Sequence, residues 1–212
     1  MIFPSLFPRK NILRFKSKIN TEIRVVNRKG KKTVYVGLAE QTGGTITGMW
    51  EEAILRIKYQ ESSIKNCLVL GLGGGDVIRI LRKKFPVIEI DCVELDPVMI
   101  ETAEKFFNIR QIPNLQIIKA DAFKFMKKKQ QNYDLIVADL FIGKYNPEIF
   151  RKKDFLTFLK KGLSGQGLAV YNSHFKPEDT QEFRDFKRLC REVFGQVSVI
   201  VKYKFSRILI LW

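Results

Sequence analysis

The stretch Cys67–Leu81, CLVLGLGGGDVIRIL, decides how the chain folds. An apolar run leads into the consecutive glycines Gly73–Gly75, and Asp76 and helix-forming residues follow. This order is typical of a buried parallel strand whose glycine loop brings the backbone close to a ligand before a helix begins. It predicts the first strand–loop–helix unit of an α/β domain.

The pattern of strand, loop and helix repeats towards the end of the chain. Further strands are predicted in IEIDCVEL, LQIIKA, YDLIVADL and GLAVYN, and helices at 76–84, 97–107, 122–128, 152–162 and 177–193. Nearly continuous apolar strands that alternate with helices indicate a parallel sheet covered on both faces. The last two strands, VSVIVKYK and RILILW, are separated only by Phe205 and Ser206, so they must pair antiparallel. We expect a mostly parallel, seven-stranded sheet that ends in this hairpin.

The segment before the glycine loop differs in pattern. Two short strands at 22–27 and 32–38 flank a glycine-containing turn and predict a small β-hairpin. EQTGGTITG is interpreted as a loop, and MWEEAILRIKYQ has helical spacing of its apolar residues. We therefore divide the chain into an N-terminal arm and hairpin, 1–48, and a Rossmann-like domain, 49–212.

Composition limits the function classes. The chain has 212 residues, 45% of them apolar, and a net charge of +16. No apolar run approaches the ~20 residues that cross a bilayer. The start of the sequence does not have the pattern of a signal peptide. The three scattered cysteines indicate buried thiols in a reducing cytoplasm rather than a metal site. The positive charge could attract nucleic acid, although no nucleic-acid motif accompanies it; a solvated, lysine-rich surface is the alternative.

Acidic residues follow four successive strands of the repeating part. Asp76 follows the glycine loop, Glu94 ends the second strand, Asp121 comes just after the third and Asp139 ends the fourth. The carboxyl ends of parallel strands meet at one edge, where such sheets bind ligands. An acid about 20 residues after the glycines typically takes ribose hydroxyls, so we expect an adenosine-type ligand.

Asp76 discriminates between adenosine ligands. The dinucleotide pattern G-x-G-x-x-G, started at Gly71, requires glycine at position 76. A carboxylate there repels a pyrophosphate but attracts an ammonium or a sulfonium, which S-adenosylmethionine and its decarboxylated form carry. Asp76 could also be a helix N-cap. An NAD-dependent oxidoreductase is disfavoured by Asp76 and by the terminal hairpin, and a non-catalytic nucleic-acid-binding protein on the same fold stays an alternative.

These residues resemble a known family. The segments VLGLGGGDVIRILRKKFPVIEIDCVELDPVMIETAEKFF, ADAFKFM, YDLIVADLF and VYVGLAEQTGGTITGMWEEAIL are similar to the spermidine synthase family, within the class I methyltransferase superfamily. The resemblance covers roughly residues 20–172. It implies a Rossmann-like class I methyltransferase fold and a nucleoside-binding, catalytic role for 49–212, with S-adenosylmethionine or decarboxylated S-adenosylmethionine as the cofactor.

The resemblance also implies roles in cofactor binding. Gly71, Gly73 and Gly75 would pack under the nucleoside. Asp76 would meet the amine of the cofactor's aliphatic arm, and Glu94 would bind the ribose hydroxyls.

Four further positions match the family. Asp121 would accept a hydrogen bond from the adenine amino group, with Ala122 beside the ring, and Gln41 would reach the site from the N-terminal segment. Asp139 matches the catalytic acid that orients and deprotonates the attacking amine, which is a nucleophile only when neutral.

Departures from the family concern the acceptor. Aminopropyltransferases usually have a second aspartate and a proline where this chain has Ile142 and Gly143. They have a tyrosine–histidine or tyrosine–glutamine pair before a glutamate where this chain has Trp50, Glu51 and Glu52. We therefore favour methyl over aminopropyl transfer, to a small-molecule amine or a protein, unless Glu40, Glu51 and Glu52 compensate. The single histidine, His174, is a possible general base but is more readily interpreted as incidental. The apolar start MIFPSLF could pack on a second copy in a homodimer.

Overall fold

The computed structural model describes residues 12–58, 64–128, 132–176 and 180–212. The strands are β1 Ile12–Ser17, β2 Thr21–Arg28, β3 Lys31–Val36, β4 Ala39–Thr42, β5 Asn66–Leu70, β6 Glu89–Glu94, β7 Leu115–Lys119, β8 Tyr133–Ala138, β9 Leu163–His174, β10 Val197–Tyr203 and β11 Ser206–Leu211. The helices are α1 Gly44–Leu55, α2 Asp76–Lys84, α3 Pro97–Phe107, α4 Ala122–Lys128, α5 Lys153–Lys161 and α6 Thr180–Phe194, with 3₁₀ turns at Ile109–Gln111 and Glu148–Arg151.

The large sheet has the predicted seven strands, in the order β10-β11-β9-β8-β5-β6-β7. Strands β9, β8, β5, β6 and β7 run parallel, and β11 pairs antiparallel with both β9 and β10. The central β5 is buried on both faces: Val69 packs in a cluster with Trp50 of α1, and Leu68 packs in a second cluster with Phe155 of α5. This arrangement confirms the predicted parallel sheet with its terminal antiparallel hairpin.

The N-terminal sheet is larger than the predicted hairpin. Four antiparallel strands run in the order β1-β2-β3-β4, so two strands were missed. The hairpin β2–β3 has a clear apolar face that includes Ile23 and Val34, both fully buried. Strand β4, with the sequence AEQT, has no apolar alternation and forms because it pairs with β3.

Helix α1 begins earlier than its apolar spacing predicts, inside the segment interpreted as a loop. Two carboxylates stabilise its start, one from a residue just before the helix and one from a residue distant in sequence. Glu40 Oε1 accepts the Ile46 N–H at 2.9 Å, and Asp76 Oδ2 accepts the Gly43 N–H at 2.8 Å. Because the first N–H groups of a helix have no partner inside it, these acceptors stabilise a start that local sequence does not mark.

Other boundaries differ less. Strand β9 continues past the predicted GLAVYN segment to His174, which carries it beyond the neighbouring β8. Asp96 caps α3, ahead of Pro97, by accepting the Val98 N–H at 2.9 Å.

The three cysteines are free and buried, as predicted. Among the described residues, every helix is too short or too polar to span a bilayer.

Candidate functional site at the carboxyl edge of the sheet

The first residues after the parallel strands lie side by side. The Gly71 N–H donates to the Val93 carbonyl at 2.9 Å, and the Asp139 N–H donates to the Leu70 carbonyl at 2.9 Å. The Ala120 N–H donates to the Glu94 carbonyl at 3.0 Å. These backbone hydrogen bonds bring the strand ends together, so that four acids lie at one edge of the sheet: Asp76, Glu94, Asp121 and Asp139. Each carboxylate has different hydrogen-bond partners.

The glycine loop is packed tightly against protein. Gly71 has a φ of 99°, and a Cβ built there would lie 2.2 Å from the Asp139 carbonyl oxygen. A Cβ on Gly73 would lie 2.9 Å from the Gln41 carbonyl oxygen. Gly75, the N-cap of α2, faces the Ile109 side chain. Close approach of neighbouring segments thus already requires glycine at these three predicted positions.

Asp76 is the first residue of α2 rather than its N-cap, and its carboxylate connects the loop to the N-terminal segment. Oδ2 accepts the Gly43 N–H at 2.8 Å and the Thr47 hydroxyl at 2.6 Å. The Arg79 guanidinium lies 3.7 Å from Oδ1. Asp76 therefore lies at the carboxyl edge of the sheet. Its Oδ2 accepts two hydrogen bonds from the protein, and its Oδ1 faces the Arg79 guanidinium.

Glu94 is partly buried and is held by backbone N–H groups. Oε2 accepts the Leu72 N–H at 2.9 Å, and Oε1 accepts the Asp96 N–H at 2.8 Å. Burial raises the pKa of the carboxyl above its usual value, and these N–H donors oppose the shift. The side chain is fixed beside the glycine loop, as a ribose-binding acid would have to be.

Asp121 caps α4. Its Oδ1 accepts the Lys124 N–H at 2.8 Å, while Oδ2 has no hydrogen bond within the ranges that the structure describes. Ala122, the first residue of the helix, is buried. One carboxylate oxygen of Asp121 thus stays available at the edge.

Asp139 accepts hydrogen bonds from two uncharged side chains. Trp50 Nε1 donates to Oδ2 at 3.1 Å, and Asn172 Nδ2 donates to Oδ1 at 2.8 Å. Burial raises the pKa of the carboxyl to about 6, and the bonds from Asn172 and Trp50 oppose that shift. A carboxyl group with this pKa can take up and release a proton near neutral pH.

Asn172 was missed by sequence reasoning. Its Oδ1 is buried and has no hydrogen-bond partner among the described residues. The parallel register pairs Ala138 with Tyr171, so the next residues, Asp139 and Asn172, lie opposite each other. A buried acceptor without a partner is costly unless a ligand supplies the donor. The asparagine at the end of GLAVYN, in register with Asp139, was the available signal.

Gln41 contacts the loop after β8. Its Nε2 donates to the Gly143 carbonyl at 2.9 Å. Asn20 Oδ1 accepts the Gly143 N–H at 3.4 Å, and Asn20 Nδ2 donates to Asp96 Oδ2 at 2.7 Å. The N-terminal sheet, with Gln41, therefore holds the loop that follows Asp139.

The acids that could have replaced the missing polyamine acids lie elsewhere. Glu40 binds the first turn of α1 through the Ile46 N–H. Glu51 and Glu52 are exposed, and Glu52 pairs with Arg56 at 2.6 Å. Glu40 is thus used at the start of α1, and Glu51 and Glu52 face solvent on the same helix.

His174 lies between two aromatic rings. Its ring centroid is 5.2 Å from that of Phe205, with the planes nearly parallel, and 6.0 Å from that of Phe141. Burial lowers the pKa of the imidazole, and the cations Arg151, Arg207 and Lys144 lower it further.

In the described parts of the chain, no group of three or more His, Cys, Asp or Glu side chains could hold a metal ion.

The fold is that of class I methyltransferase-like α/β proteins. A probable spermidine synthase from Corynebacterium glutamicum superimposes with a TM-score of 0.78 at 20% identity, covering 93% of this chain and 78% of that one. Human methyltransferase-like protein 13, solved in complex with SAH, gives a TM-score of 0.63 at 23% identity, covering 78% of each chain.

Sequence comparison identifies the family. The spermine/spermidine synthase domain model matches residues 50–204, and the chain belongs to this family. A polyamine aminopropyltransferase from Vibrio vulnificus is 35% identical over 133 residues, 61% of this chain and 43% of the relative. An eEF1A lysine and N-terminal methyltransferase homolog from Drosophila pseudoobscura pseudoobscura is 30% identical over 117 residues, 51% of this chain and 17% of the relative. The chain thus spans less than half the length of either relative.

Proposed function

We propose that this family member is a transferase that binds S-adenosylmethionine, or its decarboxylated form, at the carboxyl edge and alkylates an amine. The observation that carries the proposal is the pairing of Asp139 with Asn172, in which Asn172 Oδ1 is buried and finds no hydrogen-bond partner among the described residues, next to a carboxyl group whose pKa is about 6. A site that both accepts N–H groups and takes up a proton fits an amine nucleophile.

The residues of the edge fit an adenosine ligand with a cationic arm. Glu94, held by two backbone N–H groups, would bind the ribose hydroxyls, and the second oxygen of Asp121 would accept from the adenine amino group beside Ala122. Asp76 would meet the amine of the arm through Oδ1. Gly71, Gly73 and Gly75 would hold the loop under the nucleoside while the Gln41 segment packs against it. When bound, such a cofactor supplies an electrophilic carbon on a sulfonium.

Asp139 would orient the acceptor amine and take its proton. Its ionised form predominates above a pH of about 6 and can accept an N–H bond. Asn172 Oδ1 would supply a second acceptor from the adjacent strand β9. The buried Trp50 indole fixes the carboxylate from the opposite side.

We propose methyl rather than aminopropyl transfer. A polyamine has several cationic nitrogens, and each needs an acceptor when it leaves water. The positions that could supply such acids hold Ile142 and Gly143, and Glu51 and Glu52 are exposed on α1. Relatives with both chemistries in their names are consistent with a family in which the transferred group varies.

The choice of cofactor can be tested by calorimetry and by identifying any nucleoside that copurifies. We expect S-adenosylhomocysteine to bind more tightly than methylthioadenosine, and NAD not to bind. Tighter binding of methylthioadenosine would favour aminopropyl transfer. Absence of binding by either nucleoside would contradict the proposal.

The role of Asp139 is tested by Asp139→Asn. We expect transfer to amines to fall by about 10²–10⁴-fold, the range for loss of a general base, with nucleoside affinity unchanged. The measurement is methyl transfer from labelled S-adenosylmethionine to a panel of amines, alongside calorimetry with S-adenosylhomocysteine. If nucleoside affinity falls in parallel, Asp139 shapes the cofactor pocket instead.

A further inference from the structure

The turn between β1 and β2, residues 18–20, is anchored on Asp96. Asp96 is 1% exposed, and its N–H donates to Glu94 Oε1 at 2.8 Å. The Ser17 hydroxyl and Asn20 Nδ2 both donate to Asp96 Oδ2, the second of them at 2.7 Å. Ser17 Oγ also accepts the Asn20 N–H at 2.9 Å. The turn is therefore fixed to the nucleoside-binding part of the proposed site.

The other end of the Asn20 amide faces the loop that follows Asp139. Asn20 Oδ1 accepts the Gly143 N–H at 3.4 Å, and Gln41 Nε2 donates to the Gly143 carbonyl at 2.9 Å. Both polar groups of the Gly143 backbone are thus held by side chains of the N-terminal segment. Because the Asp96 carboxylate can only accept a hydrogen bond and a backbone N–H can only donate one, the two partners fix the orientation of the amide.

We infer that Asn20 is a positioning residue that couples the nucleoside site to the loop of residues 140–146, called the acceptor loop. The inference rests on the proposed function. A single amide joins Asp96, whose N–H holds Glu94, to the acceptor loop, which directly follows Asp139. Transfer requires the amine nitrogen and the electrophilic carbon to lie in line about 3–3.5 Å apart, and a misplacement of about 1 Å can cost about 10²-fold in rate. Asn20 would thus affect transfer without contacting the reacting atoms.

Removal of the amide should loosen the two sides of this connection unequally. In Asn20→Ala, Asp96 keeps two donors, the Ser17 hydroxyl and the Val98 N–H. The affinity for S-adenosylhomocysteine should therefore stay within about threefold of the native value. The Gly143 N–H loses the acceptor that Asn20 supplies, so the acceptor loop should open more often. We expect kcat for methyl transfer to fall by about 10–10²-fold.

Hydrogen exchange followed by mass spectrometry measures the coupling in the full chain. A ligand that binds the connected state slows its opening, so S-adenosylhomocysteine should slow exchange in the acceptor loop at least about tenfold in the native chain and should not do so in Asn20→Ala. Calorimetry with S-adenosylhomocysteine and kcat for transfer from labelled S-adenosylmethionine to butylamine are measured on the same proteins. If the native chain does not methylate butylamine, the exchange comparison decides.

The outcomes separate the inference from the proposed function. Equal protection of the acceptor loop in both proteins, or in neither, would overturn the coupling while leaving nucleoside binding intact. A loss of S-adenosylhomocysteine affinity of more than about tenfold in Asn20→Ala would assign Asn20 to the nucleoside site instead. Absence of binding to the native chain would contradict the proposed function, and the inference with it.

Asn27→Ala is the matched control. Asn27 lies in the same sheet, and its Oδ1 accepts the Gly30 N–H at 3.1 Å within the turn between β2 and β3. Asn27→Ala should leave both kcat and the exchange of the acceptor loop unchanged. A loss equal to that of Asn20→Ala would overturn the role of Asn20, because a general weakening of the N-terminal sheet would then suffice. If Asn20→Ala does not fold, Asn20→Ser takes its place, since serine is favoured in turns and carries one short hydroxyl instead of the amide.

Discussion

The two halves of the carboxyl edge are built in different ways. In the half proposed to bind the nucleoside, called the nucleoside half, Glu94 accepts N–H groups from Leu72 and Asp96, and Asp121 accepts one from Lys124, all within about one strand–helix unit. In the half proposed to bind the acceptor, called the acceptor half, Asp139 is held by side chains that are 89 and 33 residues away. The first half therefore depends on local backbone geometry, which a motif encodes, and the second depends on the assembled fold.

The difference extends to the chemistry of the acids. Backbone N–H groups hold the Glu94 carboxylate on both oxygens and oppose the rise in its pKa. Asp139 has only an amide and an indole as donors, and its pKa rises to about 6. Burial thus raises the pKa of both carboxyls, and the two halves differ in whether backbone or side-chain donors oppose that rise. This division fits the proposed function, in which one half binds the cofactor and the other binds the acceptor.

Gly71 is where the two halves touch, so its substitution should have the largest effect. In Gly71→Ala a methyl group would clash with the Asp139 carbonyl, at a φ of 99° that alanine rarely adopts. We expect the free energy of unfolding to fall by about 3–5 kcal/mol, combining backbone strain with overpacking. Urea denaturation measures the change.

Two alanine controls separate the causes. Gly30→Ala has a positive φ but open space around the new Cβ, so it should show only the strain, about 1–2 kcal/mol. Gly165→Ala has open space and no positive φ, and should change stability by less than about 0.5 kcal/mol. If Gly71→Ala costs no more than Gly30→Ala, the two halves are not in the close contact described.

The second effect is a pH dependence of stability that comes from Asp139. Its folded pKa of about 6 exceeds the usual value of 3.8, so the group's contribution to stability is fully present below pH 3.8 and is lost as the pH rises through 6. The loss amounts to up to about 3 kcal/mol. Asp139→Asn cannot ionise, so its stability relative to the native chain should improve by about 2 kcal/mol between pH 4.5 and 7.5, because part of the loss has already occurred at pH 4.5. Urea denaturation at the two pH values measures the difference in unfolding free energy between Asp139→Asn and the native chain. If this difference is the same at both pH values, burial does not raise the pKa of the Asp139 carboxyl.

How far the sequence predicts the molecule follows the same division. The seven strands, their terminal hairpin and the row of acids follow from apolar runs and from residues placed just after them. The early start of α1 and strand β4 could not be predicted, because Asp76 and strand β3 stabilise them from elsewhere in the fold. The role of Asn172 could not be predicted for a related reason. Asn172 lies opposite Asp139 only because of the register between β8 and β9, which is known only once the two strands are paired.

The smallest expected effect sharpens the account of the acceptor half. Trp50→Phe removes the indole N–H that donates to Asp139 Oδ2, one of the two interactions that oppose the rise in the carboxyl pKa. A hydrogen bond to a charged group contributes about 1.5 kcal/mol, so we expect the pKa of Asp139 to rise by about one unit. Carbon-13 NMR titration of the carboxyl signal, assigned by its absence in Asp139→Asn, measures the shift. Trp212→Phe changes the chain's other tryptophan, which is 42% exposed at the last position and should leave that signal unmoved. An unchanged or lowered pKa in Trp50→Phe would mean that the indole N–H does not set the proton affinity of Asp139, and that Trp50 serves packing rather than chemistry.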